Sequence, residues 1–312
     1  MNIKPISNTN LYGLESYFNE CISLFDNDKL PNKILFSGKK GIGKSTLSYH
    51  IINYICSKDE NNKYNKVHNL ISKENRSFKL MQNGTHPNFY LIDNLEGKKN
   101  IEIEQIRAMI AYTNKSNFNN QPRFILIDNI ENLNNNSINA LLKIVEEPKR
   151  NLFFIFIHNN ETKILPTLIS RCLIFKINLT FENVISISNK ILNENIFEIL
   201  NENLINHYST PGQIFRLINY AKEKGIDLKN QTLEEFIIHL IVNTSYKKNN
   251  FTRNLLINLI ELFFLNKYQI SDDKINFINV YHDFMNKIYN TNRYNLDEES
   301  LFLEFKTKLL NV

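Results

Sequence analysis

Glycine is scarce in this chain, 8 residues in 312, and three of the eight lie between positions 38 and 43. Cysteine is scarcer. Cys21, Cys56 and Cys172 are widely spaced, so they make neither a disulfide framework nor a metal site, and they read as reduced thiols of a cytosolic protein. Long hydrophobic runs are missing too: the longest apolar stretch, Leu255 to Leu265, contains Asn258 and Glu261 and is too short to span a bilayer. Met1 to Asn10 has no apolar core, which argues against a secretory leader. No His-Glu-x-x-His or cysteine–histidine spacing occurs, and His86 and His158 are the histidines nearest any candidate site, so histidine ligation of a metal is not expected. A repeat of fixed period is absent as well. The charge excess is only +5, which permits an acidic partner such as nucleic acid without requiring one. With 42% apolar and 22% charged residues, the chain is expected to be a soluble, cytoplasmic, globular protein with no membrane partner, long enough for two or three domains. Asparagine tracts such as Asn134-Asn135-Asn136 and Asn117-Phe118-Asn119-Asn120 belong to a bias running through apparent strands and helices alike, a matter of residue usage and not disorder.

The three clustered glycines belong to Gly38-Lys39-Lys40-Gly41-Ile42-Gly43-Lys44-Ser45, followed by Thr46. This fits the Gly, four residues, Gly-Lys-Ser/Thr pattern of a phosphate-binding loop. At ordinary glycine usage the pattern arises by accident in roughly one chain in a hundred of this size. Such clustering in a glycine-poor chain makes accident a poor account. The run Lys33 to Ser37 before it is short and apolar, as a buried strand is; the run after it, Lys44 to Cys56, spaces Leu47, Ile51, Ile52 and Ile55 as a helix does. In that context the glycines let backbone N–H groups curl around an anion, and the helix N-terminus adds partial positive charge. Lys44 is expected to reach the β- and γ-phosphates of ATP, with the Ser45 hydroxyl on Mg²⁺.

The rest of the first half alternates strands and helices. Residues 14–26 form an amphipathic helix, and Ser57 to Gly84 reads as a polar, lysine-rich insertion with one helix. Strands are expected at 87–93, 123–128, 152–157 and 173–177, with helices over 104–111 and 137–147, the latter stopped by Pro148, and a short helix running to Ser170. Asp128 ends a hydrophobic strand downstream of the loop, where a carboxylate holds the water shell of Mg²⁺. The pattern predicts an α/β fold with a mostly parallel sheet covered on both faces. After about Leu179 only helices are expected: 181–200, 211–224 ended by Gly225, one opened by the Thr232–Glu235 capping box, and further stretches at 251–265, 275–288 and 300–310.

Several stretches together resemble one family, the clamp-loader branch of the AAA+ ATPases. Leu11-Tyr12-Gly13, with Leu30-Pro31, looks like its N-terminal box, which lies on the adenine side. Asn139 to Pro148 (Asn-Ala-Leu-Leu-Lys-Ile-Val-Glu-Glu-Pro) is close to the helix that follows the acidic strand. Leu165-Pro166-Thr167-Leu168-Ile169-Ser170-Arg171-Cys172 matches the Ser-Arg-Cys motif of bacterial clamp-loader subunits. Ser209-Thr210-Pro211-Gly212 and Asn295-Leu296-Asp297 look like the delta-prime type within DNA polymerase III. The resemblance is specific from 30 to 175 and looser beyond. It implies a nucleotide-binding domain over 1–178, a helical lid over 179–228 and a C-terminal helical collar over 229–312. It also implies a hetero-oligomeric ring with motor and delta-type subunits, which loads a sliding clamp on primed DNA, and Arg171 reaching into a neighbour's ATP site. A guanidinium there stabilises the charge that develops in phosphoryl transfer.

Departures from the family pattern limit what is expected of the chain alone. Hydrolysing members end the acidic strand Asp-Glu; here Asp128 is followed by Asn129, which can hold a water but cannot act as its base. Glu131 reads as out of register for that task. Asn159 falls at the first sensor position and can donate to a γ-phosphate. No arginine stands at or beside Gly212, where active members carry the second sensor, and none occurs before Arg216. Many relatives carry a four-cysteine zinc module after the loop helix, where this chain has Cys56 alone, so zinc is not expected. The combined expectation is a subunit that binds ATP and Mg²⁺ with little ATPase activity alone and no polymerase activity of its own. Two alternatives stay open: an ATP-hydrolysing gamma/tau-like motor, and a small-molecule kinase, which would need an acceptor pocket and an arginine-bearing lid. As for the remaining charges, Arg107 reads equally as a DNA-phosphate contact or a solvent-facing residue. Lys247-Lys248 reads as a solvated turn, and Glu146-Glu147 as a solvated helix end with Glu147 in reach of Lys143.

Overall fold

The computed structural model describes residues 4–95, 98, 100–115, 121–147, 149–247, 250–270, 273–294 and 296–309. Asn117–Asn120, Pro148, Lys248, Asn295 and Leu310, named above, lie outside the described residues. The chain divides into two compact units: Met1–Ile187 with Thr210–Gly212, and Ser188–Ser209 with Gln213–Val312.

In the first unit the order is α1 (Glu15–Asp26), β1 (Lys33–Ser37), α2 (Lys44–Cys56), α3 (Arg76–Gln82), β2 (Phe89–Ile92), α4 (Ile103–Asn114), β3 (Arg123–Ile127), α5 (Asn135–Glu146), β4 (Leu152–His158), α6 (Pro166–Ile169) and β5 (Leu173–Lys176). The strands form one sheet in the order β2-β3-β4-β1-β5, parallel throughout, so β1 lies between β4 and β5. Successive side chains of a strand point to opposite faces. Accordingly Ile34, Phe36, Phe124, Leu126, Ile155 and Ile157 join Phe18, Leu47 and Ile51 of α1 and α2 in one core. Leu35, Ile125, Ile127, Phe154 and Phe156 join Ile106, Met109, Leu141 and Val145 of α4 and α5 in the other. Each fully buried apolar side chain contributes about 1.5–3 kcal/mol. That burial on both faces is what allows β1, β3 and β4 to be apolar without alternation.

The insertion after α2 is held by polar contacts. Glu60 accepts hydrogen bonds from the N–H groups of Arg76 and Ser77 at the start of α3, Asn75 caps the same helix by accepting from Phe78 N–H, and Asn53 of α2 donates to Asn75. Tyr64 stacks on Phe18 at 5.0 Å between centroids and meets His50 Nδ1 with its hydroxyl at 2.9 Å.

α7 (Phe181–Leu192) crosses the division between the units, which falls after Ile187. The single helix expected over 181–200 is corrected: α7 stops at Leu192, Asn193 takes a left-handed φ of 55°, and a new helix, α8 (Ile196–Ile199), starts with Asn195 accepting from Phe197 N–H. Asparagine tolerates that conformation better than most residues, and its side chain then competes with the helical ladder. α9 (Pro211–Lys224), α10 (Leu233–Val242), α11 (Asn250–Ile270), α12 (Lys274–Tyr294) and α13 (Glu298–Glu304) follow. Thr232 and Glu235 form the expected capping box at the start of α10. Phe236 and Leu240 of α10, Ile260, Phe263 and Phe264 of α11 and Phe302 of α13 are buried. Among the described residues no helix is long and apolar enough to cross a membrane.

Candidate functional site

The C-terminal ends of parallel strands are where such sheets offer room for a ligand. Here the loop from Gly38 to Gly43 leaves β1 and enters α2. Gly43 is the residue before the helix and has a φ of 99°, a value that a side chain would strain. Gly38 N–H donates to the His158 carbonyl at 3.2 Å, which ties the loop to the end of β4. Ile42 is buried, Lys39 and Lys40 are exposed, and Thr46 is half-buried in the first turn of α2. Lys40 pairs with Glu161 at 3.1 Å. The Leu11-Tyr12-Gly13 segment lies beside this turn through Leu14, whose Cδ1 is 3.1 Å from where a side chain on Gly43 would begin. Leu11 N–H donates to the Asn69 carbonyl at 3.2 Å and Gly13 N–H to the Glu15 carboxylate at 2.9 Å.

Lys44 is 3% exposed, and its ammonium donates to the carbonyl oxygens of Gly38 and Lys39, both at 2.7 Å. Burial lowers its pKa to about 8, against the pull of Asp128, Glu131 and Glu161 in the opposite direction. The group therefore stays mostly charged at neutral pH. Ser45 Oγ donates to Asp128 Oδ2 at 2.6 Å, so the loop and the acidic strand end meet as expected. Burial, helped by the charge of Asp93, raises the Asp128 pKa to about 6, while the Ser45 bond, the Asn129 N–H and Lys44 pull it down. A half-buried carboxylate whose ionised form its surroundings disfavour, with a hydroxyl at hydrogen-bond distance, is the oxygen donor set a hard divalent cation fits.

At the neighbouring strand ends the side chains bond one another. Asn129, at a left-handed φ of 55°, donates from Nδ2 to Asp93 Oδ1 at 2.6 Å. Its Oδ1 accepts from Asn159 Nδ2 at 2.7 Å, and Asn159 N–H donates to Glu131 Oε1 at 3.0 Å. Glu131 Oε2 is buried with no hydrogen-bond partner. So Glu131, which the sequence places out of register, reaches the same strand ends as Asn129 and Asn159. Asp93 is a member of this row that sequence reasoning missed; its only signal was that it ends a strand beside the one carrying Asp128.

Arg171 stands outside the row. It is exposed just after α6, donating to the Thr167 carbonyl at 2.6 Å and to Glu146 Oε1 at 3.0 Å. The helix end Glu146-Glu147 thus holds an ion pair through Glu146, a partner that spacing along the chain did not suggest. Arg107 and Arg216 are exposed on α4 and α9. His158 is taken up by the Ser37 hydroxyl and the Thr162 carbonyl, and His86 by Ser77.

A family model described as DNA polymerase III, delta subunit, matches residues 14–180, more than half of the chain. The DNA polymerase III subunit delta' of Pseudomonas aeruginosa is 28% identical over 139 residues, which cover 44% of this chain and 40% of that protein. The DNA polymerase III subunit gamma of Buchnera aphidicola (subspecies Baizongia pistaciae) is 30% identical over 271 residues, 83% of this chain and 70% of that protein. Against the delta' relatives from Pseudomonas aeruginosa and Bacillus subtilis, the match spans about two fifths of their length, 40% and 42%. Among solved structures, a gamma subunit-related protein of DNA polymerase III from Thermotoga maritima aligns over 96% of this chain and 90% of that one, with 16% identity and a TM-score of 0.44.

Proposed function

The chain belongs to the DNA polymerase III delta-subunit family, in the clamp-loader group of AAA+ proteins that takes in delta' and gamma subunits, and on that premise we propose that it is a delta-prime-like subunit. In this reading it assembles with motor and delta-type subunits into a ring that loads the sliding clamp on primed DNA during replication. It binds ATP with Mg²⁺ and cleaves it weakly or not at all. It also lends Arg171 to a neighbour's ATP site. Residues 1–178 are the nucleotide-binding part, 179–228 the lid and 229–312 the collar.

The observation that carries the reading is the Ser45–Asp128 hydrogen bond of 2.6 Å, two oxygen ligands side by side, next to a neutral Asn129 already bonded to Asp93 and Asn159. Mg²⁺, when bound, supplies the charge that neutralises phosphate oxygens. The chain's own residues supply the rest. N–H groups of the Gly38–Gly43 loop and the start of α2 take the phosphates, and Lys44 exchanges its two carbonyl partners for phosphate oxygens. Ser45 and Asp128 hold the cation and its water. Asn129 does not activate a water for attack, because an amide takes no proton from a water at neutral pH. Arg171 is held by an exposed ion pair, worth about 0–1 kcal/mol, so turning it outward to a neighbour costs little.

A second reading, a gamma-like motor, is favoured by one finding: the gamma relative covers 83% of this chain and the delta' relative 44%. ATPase assays separate the two. The chain alone is expected to turn over little ATP; with partner subunits the activity is expected to rise, and to fall by about a hundredfold with Arg171→Ala, an effect no larger than a trans arginine can supply. Turnover by the chain alone at the rate of the assembled complex favours the motor. Full activity of the Arg171→Ala complex removes the trans arginine.

A further inference from the structure

Thr210, Pro211 and Gly212 belong to the sheet-containing unit although the chain on either side of them belongs to the other. They lie on the phosphate loop. Thr210, 1% exposed, donates from Oγ1 to the Lys40 carbonyl at 2.9 Å, and Gly212 N–H donates to the Gly41 carbonyl at 2.9 Å. With the two bonds from Lys44, four successive loop carbonyls, those of Gly38, Lys39, Lys40 and Gly41, are all occupied. Gly212 also fits because it has no side chain: a Cβ there would stand 2.8 Å from Gly41 Cα and 2.9 Å from Gly41 O. What it would meet is backbone, which cannot swing aside.

We propose that Thr210 and Gly212 are positioning residues for phosphate binding, an inference that rests on the nucleotide reading above. In a planar trans peptide the C=O and the N–H point in opposite directions. Fixing the Lys40 and Gly41 carbonyls on Thr210 and Gly212 therefore turns the N–H groups of Gly41 and Ile42 the other way. Successive inward amides of this kind make an anion-binding concavity. The division of labour matters when ligand arrives. Lys44 has to leave Gly38 and Lys39 to reach a phosphate, whereas Thr210 and Gly212 keep their bonds. They are what holds the loop amides in place once the lysine has turned.

The test is a titration of the full chain with a fluorescent ATP analogue and Mg²⁺, for wild type, Thr210→Ser, Thr210→Val and Gly212→Ala, with melting followed by circular dichroism. Thr210→Val is expected to weaken binding about fivefold, the equivalent of one hydrogen bond, Thr210→Ser to stay within twofold, and Gly212→Ala to lose tenfold or more. Amide exchange in the nucleotide complex is expected to speed up at Gly41 and Ile42 in the weakened variants. If Gly212→Ala does not fold, the Thr210 pair decides alone. A wild type that binds while Thr210→Val and Gly212→Ala bind equally well overturns the proposal, as does a Thr210→Ser loss equal to that of Thr210→Val. A wild type that binds no nucleotide overturns the reading beneath it, and the proposal with it.

Discussion

The loop after β1 and the row of side chains at the ends of β2, β3 and β4 use their hydrogen bonds in opposite ways. In the loop, backbone carbonyls are tied up by Lys44, Thr210 and Gly212, which leaves the amide edge turned away from those anchors. In the row, side chains are tied to one another: Asn159 to Asn129, Asn129 to Asp93, and the Asn159 backbone to Glu131. In the proposed reading the first region receives an external anion. The other ties most of its polar groups to one another around the neutral amide of Asn129, with Glu131 Oε2 left unpartnered. Binding and cleavage are separable in that proposed reading, and the separation can be attacked from either side.

The largest effect is expected from the loop. Lys44→Ala removes charge-assisted bonds worth about 1.5–3 kcal/mol each, so affinity for Mg-ATP is expected to fall on the order of a hundredfold by calorimetry while the circular dichroism spectrum is kept. An unchanged affinity would mean that the anion is not held at this turn.

Asp128→Asn is the next largest, and its two consequences have opposite signs. Burial makes the ionised carboxylate unfavourable, with the pKa raised to about 6. The amide is therefore expected to raise the melting temperature, by on the order of 1–2 kcal/mol of stability. At the same time the Mg²⁺ dependence of nucleotide binding is expected to disappear. A variant that is both less stable and still Mg²⁺-dependent would break the assignment of Asp128 to the cation.

Acid sharpens the contrast between the two regions. His50 and His86 are buried, and burial first, with the charge of Arg76 also acting on His86, lowers each pKa to about 4. A histidine depressed in this way contributes stability above the unfolded value near 6.5 and loses it as pH falls towards 4. Each loss amounts to about 2–3 kcal/mol by pH 4.5. Asp128, raised to about 6, acts in the other direction: it adds stability as pH falls from 6 towards 3.8. Two losses against one gain predict a net drop in the urea midpoint between pH 7 and 4.5. In Asp128→Asn the drop is expected to be larger, because the opposing gain is gone.

The smallest effect belongs to neither region. Arg171→Ala breaks an exposed pair with Glu146, and stability is expected to change by about 0–1 kcal/mol in a denaturant titration. A loss of several kcal/mol would make Arg171 a structural residue of its own subunit.

What could be read along the chain is what has a local signature. The strand–loop–helix around Gly38–Ser45, the buried strands, the capping box at Thr232 and Asp128 at a strand end all show in spacing and composition. Glu146 with Arg171, Asp93 with Asn129, and Thr210 and Gly212 with Lys40 and Gly41 do not. Each of these is a hydrogen bond between distant segments, and such bonds leave no periodicity behind. The break of the 181–200 helix at Asn193 lies between the two cases. The apolar spacing continues through it, and only the asparagines at 193 and 195, common everywhere in this chain, mark the place.

The central claim is that this chain holds Mg-ATP without cutting it. A single experiment on this chain of 312 residues tests that claim most directly: equilibrium binding of ATP with Mg²⁺, and phosphate release measured on the same sample over hours. The account predicts about one nucleotide bound per chain and almost no phosphate released. Steady release at many turnovers per minute, or no bound nucleotide at all, would contradict it.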